Sequence, residues 1–135
     1  MAQPEPGARL ELDAIVSPSE DPTKVLQAMT NVVGDAKREI ATDSHSAKVV
    51  TEDRRGLVRI RDQLRDRHVR TAARRQMLLN RSGRRTSLML NRQAAAAGVV
   101  ALCGTPEESP LGPIYLTVES DNIDAVIVWL TAYSG

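Results

Sequence analysis

Twelve guanidinium groups lie between Arg54 and Arg85, with two aspartates and no lysine among them. That segment carries a formal charge of about +10 in a chain whose total is only +1, so the remainder is acidic. Arginine suits a phosphate because its planar fork makes two parallel, charge-assisted hydrogen bonds. It also stacks on exposed bases. A preference for arginine over lysine runs through the whole chain, with 15 Arg against 3 Lys. That preference explains the residue type and not the clustering. The segment therefore points to a polyanion, with nucleic acid the commonest, unless the acidic remainder of this or a second copy neutralises it.

A second constellation is Asn91-Arg92-Gln93, two amides around a guanidinium. Amides can read base edges and an arginine can hold a phosphate or a guanine. The same residues could simply cap the turn that follows a strand. Catalytic chemistry finds little to work with. His45 and His68 are the only histidines and Cys103 the only cysteine, too few ligands for a zinc site. The phosphate-loop, nucleophile-elbow and dinucleotide fingerprints are missing. Carboxylate pairs such as Glu52-Asp53 and Glu107-Glu108 fall in segments that read as exposed. Neither an enzyme nor a cofactor or metal is expected.

These side chains need elements to position them. Alternation from Ala8 to Val16 predicts a strand with Leu10, Leu12, Ala14 and Val16 on its buried side. Asp21 followed by Pro22 predicts a capped helix start, and Gly34 its end. Residues 37–42 and 47–52 read as polar strands around a turn at 43–46, at a sheet edge. Asp53 caps the basic helix, whose stripe is Leu57, Ile60 and Leu64. The apolar positions then slip to Val69, Ala72, Ala73, Met77 and Leu78, which predicts a kink or two helices meeting near 66–68. Such a bend would aim both arginine sets at one concave surface.

After a turn at 81–84, a strand is expected at 85–91 and a helical turn at 93–97. A buried strand should follow at 99–102, then a loop through 104–113 and a strand at 114–118. Asp121 would cap a last helix with Ile123, Val126, Ile127 and Leu130 inside. In Ser109-Pro-Leu-Gly-Pro, Gly112 is placed to supply a positive φ. The order is β-α-β-β-α(α)-β-β-β-α, a single α+β domain over 8–135 with a largely antiparallel sheet and helices on one face, preceded by a disordered tail at 1–7.

Aromatics are 2% of the chain, with no phenylalanine, so aliphatic side chains must build the core. The polar, Pro-rich start has no secretory pattern, and the apolar runs fall short of a bilayer span. A lone cysteine in an apolar run reads as a small core residue in a reducing compartment. A cytoplasmic location is expected.

Five motifs, in order, resemble a family of small archaeal proteins of uncharacterised function, predicted to bind RNA and to associate with the exosome. They are Pro18-Ser-Glu-Asp-Pro-Thr-Lys-Val25, Leu64-Arg-Asp-Arg-His-Val-Arg-Thr-Ala-Ala-Arg74, Leu90-Asn-Arg-Gln-Ala-Ala95, Ser109-Pro-Leu-Gly-Pro-Ile114 and Trp129-Leu130. The resemblance spans about Leu10 to Leu130. It implies a fold similar to ribosomal large-subunit protein five, with Arg65 and Arg74 matching basic positions of the helix motif and Asn91, Arg92 and Gln93 matching an Asn-basic-Gln motif. Val69-Arg70-Thr71 departs from the family's aliphatic-aliphatic-acidic run, and Ala97 stands near a frequent phenylalanine.

The expected function is a non-catalytic RNA-binding accessory protein. Phosphates would lie along Arg65, Arg67 and Arg74, widened by Arg84 and Arg85, with Asn91, Arg92 and Gln93 on bases or sugars. With few aromatics, the expected ligand is structured RNA read by shape, within an RNA-processing complex. The alternative is a protein-interaction module whose arginine face docks on an acidic partner or on a second copy as a homodimer.

Overall fold

The computed structural model describes residues 7–132. The expected disordered tail lies outside them except for Gly7, whose carbonyl accepts from the Ser120 hydroxyl at 2.7 Å.

Five strands form one antiparallel sheet: β1 (Arg9–Ile15), β2 (Glu39–Thr42), β3 (Ser46–Thr51), β4 (Arg85–Leu90) and β5 (Ile114–Glu119), in the order β2-β3-β1-β5-β4. The alternation seen in β1 recurs in β3, β4 and β5. Leu10, Leu12, Ala47, Val49, Leu88, Leu90, Leu116 and Val118 all turn to one face and are buried. Opposite them, Glu11, Asp13, Lys48, Tyr115 and Thr117 stay partly or fully exposed. β2 has no buried residue, as suits the edge position its polar sequence predicted.

The helices cover the apolar face. They are α1 (Pro22–Val33), α2 (Arg54–Asp66), α3 (Arg70–Asn80), α4 (Arg92–Ala96) and α5 (Ile123–Thr131). α1 begins as expected, with the Asp21 carboxylate accepting from Thr23 N–H at 2.9 Å and Pro22 in the first turn. It ends at Gly34, where φ is +62°. A side chain there would also collide with Arg59, whose Cδ would lie 2.7 Å from its Cβ.

Three expectations need correction. Ala72 and Leu78, expected on the buried stripe, are exposed on α3. Residues 99–102 do not form a strand. They run beside β4 with a single bridge, Leu90 to Leu102. The Val100 N–H, which a strand would use, instead donates to the Gln63 side chain of α2 at 3.1 Å. The cap of α5 is Asn122 and not Asp121. Asn122 accepts from Ala125 N–H, while Asp121 projects into solvent and pairs with Arg84 at 2.6 Å. Of the last aromatics, Trp129 is half-buried, and Tyr133 falls outside the described residues.

Candidate nucleic-acid interface

The basic segment forms two helices, as the slip in its apolar stripe predicted. α2 starts on Asp53, which accepts from Arg55 N–H at 3.0 Å and Lys37 N–H at 2.8 Å. The Arg55 guanidinium, 2.8 Å away, is the main reason this carboxyl sits well below its ordinary value, followed by those two N–H groups. Leu57, Ile60 and Leu64 are buried, and α2 ends in a Schellman motif. His68 N–H bonds Arg65 C=O at 3.1 Å, and Val69 N–H bonds Leu64 C=O at 3.1 Å. The left-handed position usually given to glycine belongs to His68, with φ +57°. Ala73 and Met77 continue the core contact in α3.

The bend brings guanidiniums from both helices together, and the place they meet is the last turn of α5. Arg61 Nε donates to Trp129 C=O at 3.0 Å, and its guanidinium lies 4.7 Å from the indole centroid. Arg70 donates to Ala132 C=O at 3.3 Å. Arg74 donates to the Thr131 hydroxyl at 2.8 Å and to Thr131 C=O at 3.4 Å. The end of a helix leaves carbonyls without intrahelical partners and a partial negative charge. α5 has no basic residue in its own last turn, so α2 and α3 supply three. On the opposite flank, Arg59 donates to Asn31 C=O of α1 at 2.8 Å.

A third group meets acids at the start of β4. Arg81 pairs with Asp124, Arg84 with Asp121 at 2.6 Å and Arg85 with Glu119 at 2.7 Å. Arg85 is also what holds the Glu119 carboxyl below its ordinary value. Arg84 and Arg85 keep nearly two thirds of their side-chain surface in solvent, so these bridges are weak tethers. Arg65 reaches Asp66 at 3.2 Å and Asp62 at 3.7 Å. Arg67 and Arg75 are exposed, and among the described residues their side chains have no ion pair or hydrogen bond.

The Asn91-Arg92-Gln93 group divides into three roles. Asn91 caps α4 by accepting from Ala94 N–H at 2.9 Å. Arg92 is only 5% exposed, and its Nη1 sits on Glu20 at 2.7 and 2.9 Å from the two carboxylate oxygens. Gln93 is exposed. Burial alone would raise the Glu20 carboxyl, but the Ser17 N–H and Arg92 together bring it below its ordinary value. The Arg92 N–H donates to the Ser109 hydroxyl at 3.0 Å. Three separate sequence motifs, at 18–25, 90–95 and 109–114, therefore meet at one point.

Among the described residues no helix is long and apolar enough to cross a membrane, and no cluster of three His, Cys, Asp or Glu could hold a metal. Cys103 is fully buried, and burial pushes its thiol up. Sequence reasoning missed Gln76. Its amide donates to Cys103 C=O at 2.9 Å and accepts from Met89 N–H at 2.7 Å, tying α3 to both neighbouring segments. Nothing in its spacing marked it out.

Comparison with known proteins shows the family of the chain. The model of a family described as RNA binding matches residues 9–120. The chain belongs to that family. A UPF0201 protein of Sulfurisphaera tokodaii is 34% identical over 125 residues, covering 91% of this chain and 86% of that relative. A UPF0201 protein of Sulfolobus acidocaldarius is 33% identical over 127 residues, with the same coverage. Among solved structures, an uncharacterised UPF0201 protein is 25% identical with a TM-score of 0.76 and covers 93% of this chain and 94% of its own. The fold is shared as well with the UPF0201 protein of Methanococcus jannaschii, at TM-score 0.77 and 22% identity, covering 94% and 95% of the two chains.

Proposed function

We propose that this protein binds structured RNA as a non-catalytic accessory factor, with the exposed arginines of α2, α3 and the start of β4 on the phosphates. The observation that carries this reading is the match to the RNA-binding family over 9–120. The geometry supports a division of labour within the basic segment. Arg61, Arg70 and Arg74 hold α5, so their first effect is to fix α5 against α2 and α3. Arg65, Arg67 and Arg75 face solvent, and Arg84 and Arg85 are each held by a single carboxylate, the exposed Asp121 and the partly buried Glu119, that a phosphate can replace. An RNA backbone laid along these five side chains gains charge-assisted bonds without disturbing the core.

The test is affinity for RNA measured against salt. The logarithm of the binding constant should fall linearly with the logarithm of salt, with a slope of about −0.7 for each phosphate contacted on a single strand. Arg67→Ala and Arg75→Ala should each weaken binding and shallow that slope by about 0.7, with thermal stability unchanged. A flat salt response counts against the proposal. So would a salt-sensitive dimer with no affinity for RNA, which would assign the arginine face to self-association.

A further inference from the structure

The Arg92 site holds more than its ion pair needs. Glu20 takes up Nη1, but Nε and Nη2 of the same guanidinium are buried and have no hydrogen-bond partner. Buried polar groups are almost always paired, and an orphaned donor costs free energy until a ligand or water satisfies it. Arg92 lines a cleft of about 370 Å³ between α1, α4 and the 109–112 turn, whose other walls include Val25, Ala28, Ala96, Pro110 and Leu111.

The turn itself is strained. Gly112 N–H bonds Ser109 C=O at 2.9 Å and Pro110 occupies the second position, as in a type II turn. The third position of such a turn needs a positive φ and ordinarily takes glycine. Here it is Leu111, at φ +67° and 57% exposed. A large apolar side chain is thus held against its backbone preference at the mouth of an apolar cleft with an unsatisfied guanidinium in its wall. Gly112 follows at φ +95°, and a Cβ there would stand 3.8 Å from Nη2.

Charge selects the ligand. The charges lining the cleft already balance, Arg92 and Lys24 against Glu20 and Asp21, so a phosphate or carboxylate would add an anion that nothing there compensates. A neutral group with two adjacent acceptors avoids that penalty. The O6/N7 edge of guanine is such a group and pairs with two neighbouring donors of an arginine. Its flat faces suit Leu111, Pro110 and Val25. We propose that this cleft takes an unstacked guanine of the bound RNA, read by Nε and Nη2 of Arg92 once the 109–112 turn shifts aside. The inference rests on the RNA reading above and adds a base-specific pocket to it.

The experiment uses fluorescence anisotropy of the full chain with single-stranded uridine heptamers that differ only at the central base. Guanine and inosine, which share O6 and N7, should bind about 5- to 150-fold tighter than uracil or 7-deazaguanine. Leu111→Gly relieves the strained φ and removes the wall. It should keep or raise thermal stability while the guanine preference collapses, a combination that a purely structural leucine would not produce. Equal affinity for all four heptamers overturns the guanine pocket and leaves the RNA reading standing. No binding of any heptamer, together with none of longer structured RNA, overturns both.

Discussion

At the scale of single residues, the chain uses its arginines for three different tasks, and charge alone does not separate them. Arg92 is the clearest case. In the sequence it is one basic residue between two amides; in the fold it is a buried cation shared by α4, the start of α1 and the 109–112 turn. Glu20 lies below its ordinary value of 4.5 in the folded protein. Its stabilisation is therefore fully present above that value and lost as pH falls through the lower folded one. Glu20→Gln should cost about 2 kcal/mol near neutral pH by urea unfolding. The gap between variant and wild type should begin to narrow as pH falls below about 4.5 and close once the native carboxyl protonates at its lower value. The pairing was not legible beforehand because Glu20 and Arg92 are distant in the chain, and no local pattern links a loop acid to the first residue of a five-residue helix.

At the scale of elements, the phase slip in the basic helix translated directly into structure. A stripe cannot change face within a straight helix, so Leu64 and Val69 could share a core only across a break. The break is stabilised by the Schellman bonds and opposed by the backbone of His68, a non-glycine residue in the left-handed region with an exposed side chain. His68→Gly should raise stability by about 0.5–1 kcal/mol, read as a higher melting temperature with unchanged RNA affinity. A loss of affinity would show instead that the imidazole contacts the ligand. The strands with one buried face were equally readable, since alternation reports burial directly. The expected strand at 99–102 failed for a reason alternation cannot carry. An apolar run says that side chains are inside, but not where the backbone N–H groups go, and Gln63 takes one of them. The α5 cap moved by one residue because Asp121 and Asn122 have nearly equal capping chemistry, so the sequence does not choose between them; in the fold Asp121 turns outward to Arg84 of the turn before β4.

At the scale of the whole molecule, the open side of the sheet is mixed in charge, with Arg9 3.8 Å from Glu11 and Arg85 on Glu119, while most of the basic segment lies in the helical layer. The open side of the sheet carries Glu11 and Asp13, bridged by Lys48 at 3.4 and 3.7 Å, with the Asp13 carboxyl raised by burial and then by Glu11. The other arginines of the basic segment lie at the start of β4. The arginine seated on Trp129 turns this arrangement into an optical instrument. Trp129 is the chain's only tryptophan, and a cation sits 4.7 Å from its ring centre. Indole emission responds to a charge at that distance, so any RNA that shifts Arg61 or the end of α5 changes the protein's own fluorescence. Titrating unlabelled RNA with excitation of the indole should give a saturable change in intensity or wavelength. Its midpoint should match the one found by anisotropy, and Arg61→Leu should abolish the change. A signal that stays constant while anisotropy saturates would place the bound RNA away from α5. The molecule then reports, without a dye, whether its ligand lies over the bend or beyond it.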